Sequence, residues 1–290
     1  MQKYSIKNLE SLTGIKAHTL RIWEQRYNLI IPKRTPTNIR YYTDQHLRKL
    51  LNISVLYNNG WKISRIAALS EKKLLENVRK ICDARCDDND IINSLIMCMI
   101  EYNEQRFDQV YHTIINKFGF KEAILKVIYP FLEKTGVLWE LDSVTPANEH
   151  FISNLIRKKI FSAIDRAAPE SQDKDTYLLF LSQREMHEIG LLVAWYLLRL
   201  EGFRVIYLGQ AVPYISLQES IRKTKPDVLL TFFTISSQEQ IADYVRELSG
   251  FFKKKPLLVA GKPEKLSKLK SSSFIRKLTS VDALSGLIMS

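Results

Sequence analysis

Apolar residues recur at two different spacings along this chain, and the change of spacing divides it. From residue 5 to about residue 165 they fall every three or four positions, the period of helices with one buried face. From residue 175 onward, short apolar runs alternate with amphipathic stretches, which predicts strands alternating with helices. Ser5 is a good N-cap for a first helix over Ile6 to Thr13, with Ile6, Leu9 and Leu12 on one face and Gly14 ending it. A second helix starts near Lys16–Ala17 and runs to about Tyr27. Helix, short glycine turn, helix is the shape of a helix-turn-helix. The segment IIPKRTPTNIRYYTD, punctuated by Pro32, Pro36 and Asn38, suits a short β-wing. Thr43 and Asp44 start a third helix ending near Asn59–Gly60, and a fourth follows from Lys62 to about Leu69.

From Glu71 to about Asp165 the pattern predicts four or five antiparallel helices, a small bundle. Pro130 falls inside one of them and is expected to kink it. Thr145-Pro146 reads as N-cap and first residue of the last helix. The strands of the final third are TYLLFL, FRVIYLG, PDVLLTFFT and PLLVAG, with FIRKLT as a short fifth. Between them lie helices over HEIGLLVAWYLLRLEG (closed by Gly202), Leu217–Lys223 and Gln238–Ser249, and a last one from Val281. This is a doubly wound, flavodoxin-like α/β pattern. The expected architecture is multidomain: a winged helix-turn-helix over 1–72, a four-helix-type bundle over 75–168 and a flavodoxin-like α/β domain over 174–290.

Charge sharpens that division. Residues 1–75 hold 14 Lys and Arg against 4 Asp and Glu, a surplus of 10, while the whole chain of 290 residues carries only +12. Nearly all the excess sits in the first quarter, the electrostatic footprint of a nucleic-acid-binding module joined to something else. The 46% apolar and 26% charged content is ordinary for a globular chain, and 10 Gly with 9 Pro exclude a long disordered or collagen-like one. No apolar run approaches a membrane span, the N-terminus has no signal-peptide core, and three Cys make no disulfide framework. A reducing, cytoplasmic setting is expected.

The candidate chemistry follows the same division. The second helix carries Lys16, His18, Thr19, Arg21, Arg26 and Trp23, where Arg, Thr and His can read base edges in a major groove. The wing carries Lys33, Arg34 and Arg40 with Tyr41 and Tyr42, suited to the phosphate backbone. Tyr27, Leu29 and Ile31 are assigned to packing. His187 lies beyond the end of the first α/β strand, with Glu185 two residues before it and Gly190 three after. An imidazole there can coordinate a metal while a carboxylate holds its other nitrogen; a helix-capping histidine is the plainer alternative. Nine residues separate Trp139 from Glu149-His150, a spacing that alone suggests a core tryptophan and a surface pair. Cys82 and Cys86, one helical turn apart, are too few for a closed zinc site.

The stretch from Tyr4 to Leu69 resembles the MerR-type winged helix-turn-helix, through LTGIKAHTLRIWEQRYNLIIPKRT and IRYYTDQHLRKL. The RIWEQRY variant resembles the subgroup fused to cobalamin-binding domains. The resemblance places His18, Thr19, Arg21 and Trp23 on or beside the DNA-reading helix, where Lys16 also lies, and Arg34, Arg40 and Tyr42 at wing and phosphate positions; Trp23 and Tyr41 suit the core equally well. Glu185, His187 and Gly190 resemble the first motif of the cobalamin-binding fold, which implies His187 as lower axial cobalt ligand. Trp139, Glu149 and His150 match the upper-face pattern of the cobalamin-dependent light-sensing repressors. Three positions depart from the pattern. Phe232 or Phe233, with Thr231 or Thr234 nearby, replaces the small hydroxyl residue beside the buried nucleotide tail, and Ala260-Gly261 replaces Gly-Gly. Glu140 stands where the light-sensing branch has the histidine that captures cobalt after photolysis.

The resemblance implies a non-enzymatic transcriptional regulator that binds a double-stranded DNA operator as a homo-oligomer, dimer or tetramer. Its cofactor would be cobalamin, adenosylcobalamin first, held by Trp139, Glu149, His150, Glu185, His187, Gly190, Thr234 and Gly261. A regulator of the same fold without the cofactor, using its C-terminal module for oligomerisation or another effector, is the alternative. A corrinoid methyl carrier has no use for the basic N-terminal domain.

Overall fold

The computed structural model describes all residues except 1–2, 86–87, 141–143, 168–170, 172, 253–254, 281–282, 284–285 and 287–290; for 79, 81–85, 88, 139 and 140 it describes the backbone only. The chain forms two compact units, residues 1–155 and 156–290.

The first unit opens with α1 (Ile6–Thr13) and α2 (Ala17–Tyr27), joined through Gly14 at φ 74°. Ser5 caps α1 in a reciprocal box with Asn8. Strands β1 (Lys33–Arg34) and β2 (Arg40–Tyr41) form an antiparallel wing, and α3 (Asp44–Asn58) and α4 (Ile63–Ala67) follow. Leu9, Leu12, Leu20, Leu47, Leu50 and Leu51 are buried in its core. Tyr4 and Tyr42 exchange backbone hydrogen bonds at 2.9 and 2.8 Å, closing the wing onto the start of the chain.

The helices α5 (Glu71–Arg85), α6 (Asp88–Glu101), α7 (Glu104–Ala123), α8 (Tyr129–Glu140) and α9 (Pro146–Asp165) come next. The expected kink at Pro130 takes a specific form. A π-turn over Ile124–Ile128 precedes it, with the Tyr129 amide donating to the Ile124 carbonyl, and Gly119 (φ 73°) breaks α7 one turn earlier. A proline lacks the amide and crowds the preceding turn, and the widened π-turn makes room for its ring. Thr145 caps α9 as expected, accepting from the Asn148 amide at 3.2 Å. Arg48 of α3 pairs with Glu101 of α6 at 2.7 Å, and Asn59 donates to the buried Asp90 at 2.7 Å.

In the second unit, β3 (Thr176–Ser182), β4 (Arg204–Val212), β5 (Val228–Phe233), β6 (Leu257–Gly261) and β7 (Ile275–Leu278) form a parallel sheet in the order β4-β3-β5-β6-β7. Between the strands run α10 (Ile189–Leu200), α11 (Tyr214–Thr224) and α12 (Gln238–Phe251). The strands are apolar on both faces because helices cover both. The strand order reverses beside β3, which puts the carboxyl ends of β3 and β5 at the topological switch point, the ligand position of such sheets. The helix expected from Val281 falls mostly outside the described residues.

Candidate functional site

On the N-terminal domain, Lys16, His18 and Arg21 of the second helix are exposed, as are Arg34 and Arg40 on the wing, and Thr19 is half-buried. The Arg34 guanidinium donates to Asn38 Oδ1 at 2.7 Å, which holds it at the tip of the wing. Lys16 pairs with Glu10 at 3.4 Å. Three assignments need correction. Trp23 is 4% exposed and packs edge-on against Tyr57, so it belongs to the core and not to the DNA-reading face. Tyr42 is fully buried and donates its hydroxyl to Glu24, so it cannot reach a phosphate. Ile31, assigned to packing, is 67% exposed.

At the carboxyl end of the α/β sheet, three loops converge on one carboxylate. Glu185 is 0% exposed. Its Oε1 lies 2.9 Å from His187 Nδ1, and its Oε2 accepts the backbone amides of Thr234 and Ile235 at 2.7 and 3.1 Å. Its backbone carbonyl accepts the Ala211 amide at 3.2 Å. A bulge in β4 makes this last contact: Gly209 (φ 77°) and Ala211 (φ 50°) take left-handed backbone, and the β3–β4 register shifts there. Burial pushes the Glu185 carboxyl up, but the His187 ring and the three amides that donate to it outweigh that, and its pKa lies below the ordinary value. The carboxylate is therefore ionised and can only accept, so the proton sits on His187 Nδ1. That tautomer puts the ring's acceptor lone pair on Nε2.

The remaining expected residues fall as follows. Gly190 is the second residue of α10 and half-buried. Thr234 joins the site through its backbone amide, with an exposed side chain. A Cβ on Gly261 would stand 2.8 Å from the Phe233 carbonyl oxygen, so the close approach of β5 itself requires glycine there. Glu149 and His150 pair at 2.8 Å at the start of α9, and Ser153 donates to Glu149. The side chains of Trp139, Glu140 and Cys82, and all of Cys86, lie outside the described residues.

Register separates the two phenylalanines. Phe233 packs in the core under α12, its ring edge-on to Tyr244. Alternation sends Phe232 to the opposite face, half-buried, in register with Ala260. Thr231 points the same way as Phe233, and its buried hydroxyl has no hydrogen-bond partner among the described residues.

Missing from the sequence reading was a second buried carboxylate. Glu188, 5% exposed, accepts the Tyr207 hydroxyl at 2.7 Å and pairs with Arg157. Its position beside His187 was visible in the sequence; its burial and partners were not, since they come from α9 and β4.

Residues 4–73 match the MerR HTH family regulatory protein family, and residues 91–162 match a B12 binding domain. The HTH-type transcriptional repressor CarH of Myxococcus xanthus is 30% identical over 253 residues, covering 84% of each chain. The chain belongs to this family of MerR-type regulators with a B12-binding domain. A second member, the repressor CarA of the same organism, is 26% identical over 88% of this chain and 85% of its own. The monomethylamine corrinoid protein of Methanosarcina barkeri shares the fold, with a TM-score of 0.56 at 12% identity, covering 69% of this chain and 98% of that one.

The donor set can be tested against the cofactor such a domain implies. Among the described residues no group of three or more His, Cys, Asp or Glu could hold a metal ion. One histidine backed by a buried carboxylate suits a metal whose equatorial positions are filled by a macrocycle, and the axial side of the site fits a corrinoid on that ground. Phe232 beside Ala260 departs from that fit.

Proposed function

We propose that this regulator binds an operator through Lys16, His18, Thr19, Arg21, Arg34 and Arg40, and binds a cobalamin, adenosylcobalamin first, with His187 as the lower axial ligand. The protein works in the cytoplasm as a homo-oligomer and is not an enzyme. Its parts are a DNA-binding domain over 1–72, a bundle over 75–168 and an α/β domain over 174–290. The observation that carries the reading is the Glu185–His187 pair at the strand ends, buried on the carboxylate side and fixed by two backbone amides of the next loop.

When bound, the cofactor would supply a cobalt centre with an exchangeable ligand. Glu185 holds the His187 proton on Nδ1 and fixes the plane of the ring. Gly190 would allow close approach at the start of α10, and Trp139, Glu149 and His150 are the bundle residues that would contact the cofactor. A ligand changes assembly only if it binds one assembly state more tightly than another, and upper-side contacts are where that difference arises. One small winged domain reads a half-site, so assembly sets operator affinity.

Size-exclusion chromatography and operator gel shifts with and without adenosylcobalamin in the dark test the proposal. A changed oligomer and a changed operator affinity are expected. A second reading, in which the fold serves as an oligomerisation module without cobalamin, is favoured by Phe232 in register with Ala260. Unchanged assembly and no retained corrinoid colour would establish that reading instead.

A further inference from the structure

The helix α9 spans residues 155 and 156, where the two units meet in sequence, and its two halves have different partners. In the first unit, Asn148 donates to the Met99 carbonyl at 3.2 Å and Phe151 lies edge-on to Tyr102. In the second unit, Arg157 pairs with Glu188, and Phe161 lies edge-on to Trp195, whose ring stacks on Tyr207 at 4.6 Å and 16°. Tyr207 closes the circuit by donating to Glu188 at 2.7 Å. Gly209 permits this packing: a Cβ there would stand 3.3 Å from the Tyr207 ring and 3.7 Å from Glu188 Oε2.

We infer that Arg157, Glu188 and Tyr207 form a latch that fastens the second half of α9 to the loop carrying Glu185 and His187, with Glu188 as a positioning residue and not a ligand. A displacement of that loop reaches α9 through the Arg157–Glu188 pair, and a displacement of α9 reaches His187 by the same route. A buried carboxylate with two partners suits this role, because losing one partner leaves a charge uncompensated in a desolvated position. The consequence for ligand sensing rests on His187 as the axial ligand; the latch itself does not.

Hydrogen exchange of the full-length protein without cofactor tests it, read over residues 183–190 and 156–165. Arg157→Ala and Glu188→Gln are each expected to raise exchange about tenfold or more in both segments. The double variant is expected to add nothing, since both remove one link. Tyr207→Phe keeps the ring stack and the fold and is expected to give a smaller rise in the same two segments. Loosening of one segment without the other, or of neither, would overturn the latch. Hydroxocobalamin then separates the two claims. Arg157→Ala is expected to retain the wild-type absorption band with affinity about tenfold weaker; unchanged affinity would overturn the positioning role. Failure of the wild type to retain colour would remove the cobalamin reading and leave the exchange result to decide the latch.

Discussion

The DNA-binding face and the ligand-end loops handle charge in opposite ways. On the winged domain, Arg21, Arg34 and Arg40 stand in water and keep their charge available to a partner. In the α/β unit, Glu185 and Glu188 are withdrawn from water and spend their charge on neighbours in the same chain. A surface that binds a polyanion gains from solvated cations and released counterions. A site that must present one nitrogen at one angle gains from a carboxylate whose every lone pair is committed. The first kind of site announces itself in composition; the second is assembled only by the fold.

Substitutions can break or sharpen this contrast. The largest effect is expected from Trp23→Ala, a core truncation costing about 3–5 kcal/mol of stability in the DNA-binding domain. Thermal unfolding would show it, whereas a groove-facing tryptophan would cost operator affinity and little stability. Glu185→Ala is expected to cost about 3 kcal/mol, because it leaves the His187 ring and the Thr234 and Ile235 amides without their acceptor. Urea unfolding of the α/β unit reads that loss. Arg21→Ala is expected to weaken operator binding by about 1–3 kcal/mol in a sequence-dependent way, and Arg40→Ala to weaken it uniformly and lower the salt slope by about 1. Neither should move the melting temperature by much. The smallest effect has the opposite sign. Thr231→Val removes a buried hydroxyl that has no partner and is expected to stabilise the α/β unit by about 1 kcal/mol, measurable in the same urea titration.

The order of elements was readable because it depends on local signals. Ser5 before an apolar face, Gly14 after it, Thr145-Pro146 and Gly202 each punctuate the chain where the structure begins or ends a helix. Glu185 and His187 were readable because two residues of spacing place them in one loop. Trp23 and Tyr42 were misassigned because basic neighbours imply a surface, while only packing against Tyr57 and Glu24 reveals the buried face. The Phe232–Phe233 ambiguity was a matter of strand register, which depends on pairing with β6. Arg157 and Tyr207 were missed because they meet Glu188 from 31 and 19 residues away, and no local pattern carries such a contact.

The central claim is that His187 ligates cobalt in a cobalamin-bound form of this regulator. Electron paramagnetic resonance of the protein loaded with cob(II)alamin, made with and without nitrogen-15-labelled histidine, tests it most directly. The account predicts that labelling converts the axial nitrogen splitting from triplets to doublets in the wild type and that His187→Ala loses this change. Triplets that persist in the labelled wild type, or a wild type that retains no corrinoid while still binding DNA, would contradict it.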